Sequence, residues 1–198
     1  MKSIIQAYSP EEIKRIARGE QTIKVCKTAP KDTPFKVYMY CTKDGYMYRC
    51  RLDENRLAIP EVWNGKVVGE YVCDKVDNIV PSASRYMINN DIAYTNKVAK
   101  GSCLYFNDLE KYLGNKVGRA LHITAVKFYD EPKKLTDFNK PCVDKYQYCQ
   151  GCMYGSIILS ADEEEYALYH GGRYDYFETA CHYYVSRPPR GWQYVEEL

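Results

Sequence analysis

The chain has 198 residues, 45% of them hydrophobic and 27% charged, with a formal net charge of +2. That composition excludes a disordered tail and a collagen-like fibre and is ordinary for one globular domain with a sizeable core. No stretch approaches the roughly 20 consecutive apolar residues of a membrane span, and the N-terminal MKSIIQAYSPEE lacks the apolar centre of a secretory signal, so the expectation is a cytoplasmic protein with no membrane contact.

Lys2 to Tyr8 alternates as a first strand and leads directly into SPEEIKRIARGE. There Ser9 is a helix N-cap, Pro10 suits the first helical turn, and Glu12 stands three residues past the cap, the spacing of a capping box. Ile13, Ile16 and Ala17 share one helical face, and Gly19 supplies the left-handed exit. Thr22–Lys27 follows as a strand, with Ile23 and Val25 on the face opposite Lys24. Phe35–Thr42 is a strong strand. Lys43-Asp44-Gly45 then predicts a hairpin returning through Tyr46–Arg51, and Lys66–Asp74 is a further strand. From Ile79 to Leu104 the pattern weakens to short helical pieces or a loop. Asn107 and Glu110 have capping-box spacing before a helix that Gly114 closes. Arg119–Tyr129 reads as one strand, with Leu121, Ile123 and Ala125 opposite Ala120, His122 and Thr124, and Leu135–Phe138 as a helical turn.

The expected class is α+β, a small mixed β-barrel with flanking short helices, formed by one domain over residues 1–198. A Cys- and Tyr-rich insertion at 142–184 interrupts it before a short ending. Charge is uneven: residues 1–51 carry 11 Lys+Arg against 5 Asp+Glu, and the remainder carries 17 against 21. A basic first third suits a phosphate backbone; the bland reading is a solvated lysine surface. Tyrosine is abundant, at 21 residues against 5 Phe and 2 Trp, which suits half-buried strands and base stacking alike.

Nine cysteines, an odd count, argue against a complete disulfide framework. Cys142, Cys149 and Cys152, followed by Cys181-His182, have the spacing of a structural zinc site whose last ligand is Cys181 or His182. The other five cysteines, Cys26, Cys41, Cys50, Cys73 and Cys103, fall in apparent strands as small hydrophobes. Arg187, Arg190 and Trp192 near the end could clamp a base, or Trp192 could seal the barrel.

Several words of the chain resemble the ASCH domain family of the PUA-like superfamily, and most of all its longer prophage-type members from Firmicutes. They are Gly19–Lys27, set against the usual G-E-K-T-I-E-x-R-K, the KVYMYCT strand, Gly65–Val76, Leu109–Ile123, Tyr129–Cys142 and the RPP-x-x-W-x-YVEEL ending. The resemblance implies a closed PUA-like barrel with a pocket near the first helix that holds RNA or a modified base. Some short members hydrolyse acetylated cytidine with a Lys, a Thr and a Glu. Carried across, those positions are Gln21, Lys24 and Glu70. A glutamine is neither a general base nor an amine nucleophile, so that reaction is not expected here.

The expected ligand site therefore gathers Tyr8, Gln21, Lys24, Lys27, Glu70 and His122, with Arg187, Arg190 and Trp192 as auxiliary contacts. The expected function is binding of RNA, another nucleic acid or a nucleotide-like ligand. A nuclease or hydrolase using Glu70 with Lys24 or His122 is the first alternative. A phage-encoded inhibitor that grips a protein partner through the insertion is the second.

Overall fold

The computed structural model describes residues 1–43, 61–81, 86–88, 91–141 and 184–197. β1 (Lys2–Tyr8) runs into α1 (Pro10–Ala17), β2 (Ile23–Cys26) and β3 (Phe35–Cys41). β4 (Val67–Cys73), β5 (Val76–Pro81) and β6 (Tyr86–Met87) follow, then α2 (Ile92–Ser102) and α3 (Phe106–Leu113). β7 (Gly118–His122), β8 (Thr124–Lys133), a 3-10 turn at Leu135–Asp137 and β9 (Trp192–Val195) complete the order. The helix entry is as expected: Ser9 Oγ accepts the Glu12 N–H at 3.3 Å, Glu12 accepts the Ser9 N–H at 3.0 Å, and Gly19 has φ +70°.

Among the described residues the strands form two sheets, in the orders β8-β4-β3-β1-β9 and β2-β7-β5-β6. The expected closed barrel is corrected at this point: the two sheets do not join into one ladder. On one side the chain itself passes between them, because β4 continues as β5 and β7 as β8, each bending at a corner, Asp74-Lys75 and Ile123. On the other side β1 already has both edges occupied, by β3 in parallel and β9 antiparallel, so β2 has no strand to close against. That seam is bridged by side chains instead. The Gln6 amide donates to the Cys26 sulfur at 2.8 Å, and the Trp192 indole N–H donates to the Thr28 carbonyl at 3.0 Å.

Among the described residues three cores follow from this layering. Ile4, Tyr8, Val37, Met39, Tyr71, Leu121 and the α1 residues Ile13 and Ile16 fill the space between the sheets. Ile23, Val25, Ile79 and Ala120 pack beneath Val98 of α2 and Leu109 and Leu113 of α3. Ile5, Tyr38, Tyr40, Val67, Phe138 and Val185 cover the outer face of the larger sheet. Strand alternation explains the division: β2 sends Ile23 and Val25 to the helices and Cys26 to the space between the sheets.

Several expectations are corrected. The weak stretch after Ile79 contains an eleven-residue helix, α2, and β5 extends the strand region to Pro81. The α3 cap is Tyr105, whose N–H meets Asp108 at 3.1 Å, two residues before the expected pair. The single strand 119–129 is two strands, broken where β8 enters the other sheet and Ala125 takes φ +47°. Cys103 ends α2 in a left-handed conformation and is in no strand. Both edges of β3 are taken, by β1 and β4; the expected hairpin return Tyr46–Arg51 lies outside the described residues. Among the described residues no helix is long and apolar enough to cross a membrane.

Candidate functional site

The expected site residues divide among three places. Tyr8 is fully buried. Its hydroxyl meets Gln6 Oε1 and the Tyr71 hydroxyl, both at 2.8 Å, and burial pushes both tyrosine hydroxyls well above their ordinary range. Lys24 closes this network toward the outside. Its ammonium sits 4.7 Å from the Tyr8 ring centroid and bonds Glu12. Burial alone would raise the Glu12 carboxyl, but Lys24 and the Ser9 hydrogen bonds hold it below its ordinary value. Cys26 at the base is pushed up to about 11 by burial, which keeps it an inert thiol. The polar groups here serve one another, and the network is a structural element of the core.

Gln21 is buried, with its amide N–H on the Ile23 carbonyl at 3.2 Å. Glu70 is remote from all of these, on the outer face of the larger sheet. It accepts the Tyr129 hydroxyl at 2.6 Å and lies 3.6 Å from Lys36. The expected grouping of Glu70 with Lys24 or His122 is therefore corrected. Lys27 lies over the Tyr112 ring, 5.1 Å from its centroid. Arg187 and Arg190 are exposed. Trp192 is half-buried, on Thr28 and edge-on to Tyr194 at 5.1 Å, so its seat is the seam between the sheets. Cys142, Cys149, Cys152, Cys181 and His182, and residues 142–183 of the expected insertion, lie outside the described residues. Among the described residues no group of three or more His, Cys, Asp or Glu side chains could hold a metal ion.

His122 stands apart, on the opposite face of the smaller sheet, in a cavity of about 280 Å³. That is the low end of ligand pockets, which run roughly 300–1,000 Å³. Ile23, Val98 and Ile123 supply apolar wall, and Thr22, Asp74, Lys75, Tyr94, Lys97, His122 and Thr124 supply polar groups. Backbone hydrogen bonds fasten the walls together. Thr22 donates to the Gly101 carbonyl at 2.8 Å and accepts from Ile123 at 2.9 Å, while His122 N–H donates to Lys75 at 3.0 Å. A Cβ at Gly101 would stand 2.9 Å from Thr22 Oγ1, so the glycine permits the close approach of α2 to β2. Tyr94 is placed by the helix start: Asp91 caps its N–H at 3.0 Å, and Thr95 ties Ile88 to Asp91.

Beneath the cavity lies Asp77, 6% exposed. It accepts from His122 Nε2 and from the Tyr94 hydroxyl, both at 2.7 Å, and faces Lys75 at 3.1 Å. Lys75 also reaches the Tyr94 hydroxyl and lies 4.7 Å from that ring's centroid. Burial would raise the Asp77 carboxyl, but the bonds from Tyr94, His122 and Lys75 overcome it and hold the carboxyl below its ordinary value. An ionised carboxylate can only accept, so the hydrogen in that bond is on His122 Nε2. Nδ1 has no partner among the described residues, and neither does the exposed ammonium of Lys97. The cavity thus joins apolar wall, an oriented imidazole and a spare cation. Asp77, Tyr94 and Lys97 escaped the sequence reading; the alternation that put His122 opposite Leu121 was the available clue to the cavity's side of the sheet.

No family model matches the chain, nor does any curated protein. The structure is similar to crystal structures of ASCH from Zymomonas mobilis. A serine-to-alanine variant of that protein gives a TM-score of 0.49 at 11% identity, over 99% of this chain and 89% of that one. The ASCH structure without a named substitution gives 0.45 at 12% identity, over 99% and 89%. A tyrosine-to-phenylalanine variant gives 0.45 at 11% identity, over 100% and 92%.

Proposed function

We propose that this chain is an ASCH-type, PUA-like domain that binds single-stranded RNA by seating one nucleotide in the His122 cavity. The observation that carries this reading is the pairing of spare polar capacity, on His122 Nδ1 and Lys97, with the apolar wall of Ile23, Val98 and Ile123. A nucleobase needs both: a flat apolar surface for its faces and a directed hydrogen-bond partner for its edge. Lys97 suits the phosphate as a point charge. The sequence words shared with the ASCH family support the same class of ligand.

The test is equilibrium binding of a labelled uridine hexanucleotide to wild type and to His122→Ala. About a tenfold loss is expected for the variant, the upper range for one neutral hydrogen bond. Equal affinity would reject the cavity as the site.

A second reading, RNA hydrolysis, is favoured by the His122–Asp77 pair, since a carboxylate-oriented imidazole with a free Nδ1 is the form a general base takes. Glu70 has no part in it. Turnover of labelled RNA that disappears in His122→Ala would establish the enzyme; intact RNA after prolonged incubation would leave binding alone. A structural zinc on Cys142, Cys149, Cys152 and Cys181 or His182 remains a proposal from spacing. Metal analysis of protein purified without added zinc tests it, with one zinc per chain expected and a folded, metal-free chain rejecting it.

A further inference from the structure

β2 begins at the cavity and ends at a second surface of different character. Lys27 is four steps along the chain from Ile23, about 13 Å at the rise of an extended strand. Two half-exposed aromatic rings from distant parts of the chain are both fastened to the Lys27-Thr28 dipeptide. Tyr112 of α3, 45% exposed, lies under the Lys27 ammonium, and Trp192 of β9 donates its indole N–H to the Thr28 carbonyl and, at 3.1 Å, to its hydroxyl. Lys27 and two guanidiniums adjacent in register or sequence have no ion pair among the described residues: Arg119, which pairs with Cys26 across the β2–β7 ladder, and Arg190, two residues before Trp192. Glu12, whose charge reaches Tyr112, is already taken by Lys24.

We propose that this surface is a second subsite for the same polymer, stacking a base of a single-stranded nucleic acid on Tyr112 while Lys27 and its neighbouring guanidiniums hold phosphates. The inference rests on the nucleotide reading of the His122 cavity and adds an occupant length to it. Unpaired cations interleaved with exposed rings select an anionic chain that carries stackable bases. A separation of about 13 Å calls for several nucleotides, near the short end of the roughly 4–16 that single-strand binders cover.

The experiment compares uridine monophosphate, fluorescein-labelled hexauridylate and the corresponding hexathymidylate on the full chain. Wild type is expected to bind the hexamers at least tenfold more tightly than the monophosphate. Tyr112→Ala should weaken hexamer binding roughly tenfold and leave the monophosphate unchanged, Tyr112→Phe should keep wild-type affinity, and Lys27→Ala should lower the salt slope of hexamer binding by about one. Equal preference for the two hexamers supports the subsite as a backbone-and-stacking surface; a preference for hexauridylate supports it with RNA as the polymer. The subsite is overturned if the hexamers bind no tighter than the monophosphate, or if Tyr112→Ala, with an unchanged melting temperature, binds hexamer like wild type. Should the monophosphate fail to bind while the hexamer still depends on Tyr112, the cavity reading falls, and the shared strand falls with it.

Discussion

Two polar clusters lie on opposite faces of β2, and they differ in what their hydrogen bonds leave over. On the face toward the larger sheet, Tyr8, Gln6, Tyr71, Cys26, Lys24 and Glu12 satisfy each other. On the face toward α2, Asp77 is saturated by three donors, and that saturation is what leaves His122 Nδ1 and Lys97 unspent at a cavity. A saturated network rigidifies a core, whereas a network that orients one group and leaves it open prepares a site. β2 separates them by alternation: Lys24 and Cys26 belong to the closed cluster, while Ile23 on the other face walls the cavity.

The largest expected effect breaks the closed side. Lys24→Met leaves Glu12 partly buried without its cation and should cost about 2–3 kcal/mol in a urea titration, with uridine monophosphate affinity unchanged. A loss of affinity at intact stability would move the site to that face. Tyr8→Phe removes one hydroxyl from the same network and should cost about 1 kcal/mol by the same measurement.

The pH dependence sharpens the comparison. Glu12 and Asp77 are both held below their ordinary values of 4.5 and 3.8. A carboxyl lowered on folding contributes stability that is complete above its unfolded value and is lost as pH falls through the folded one. The urea midpoint should therefore be level above about pH 5 and fall below about pH 4, and Glu12→Gln and Asp77→Asn should each flatten that fall. The smallest effect concerns the corner that joins the sheets. Ala125→Gly relieves a left-handed alanine at φ +47° and should stabilise by less than about 1 kcal/mol, with no change in binding.

Much of the scaffold was legible because it obeys simple periods. β1, the Ser9–Glu12 box, the Gly19 exit and the opposite facing of Ile23 and Lys24 all follow from local chemistry. α2 was obscured by its buried stripe: Thr95, Val98, Ala99 and Ser102 have helical spacing, but two of the four carry hydroxyls, which blunts the hydrophobic signal. The strand pattern suggests a closed barrel because nothing local shows that β9, some 60 residues beyond β8, takes the edge of β1 that β2 would need. Grouping Glu70 with Lys24 failed for a related reason: register sends Glu70 outward beside Tyr38, to Lys36 and Tyr129. Asp77 could be recognised only after β5 was paired to β7, since nothing local marks an aspartate as the support of a histidine 45 residues away.

The central claim is that the open cluster, and not the closed one, receives the nucleotide. NMR titration of isotope-labelled protein with uridine monophosphate tests it most directly, by following the His122 ring alongside the Lys24 and Tyr8 side chains. The account predicts a saturable shift of the His122 ring and of Thr22, with Lys24 and Tyr8 unmoved. A saturable shift at Lys24 and Tyr8 with His122 stationary, or no shift at either face, would contradict it.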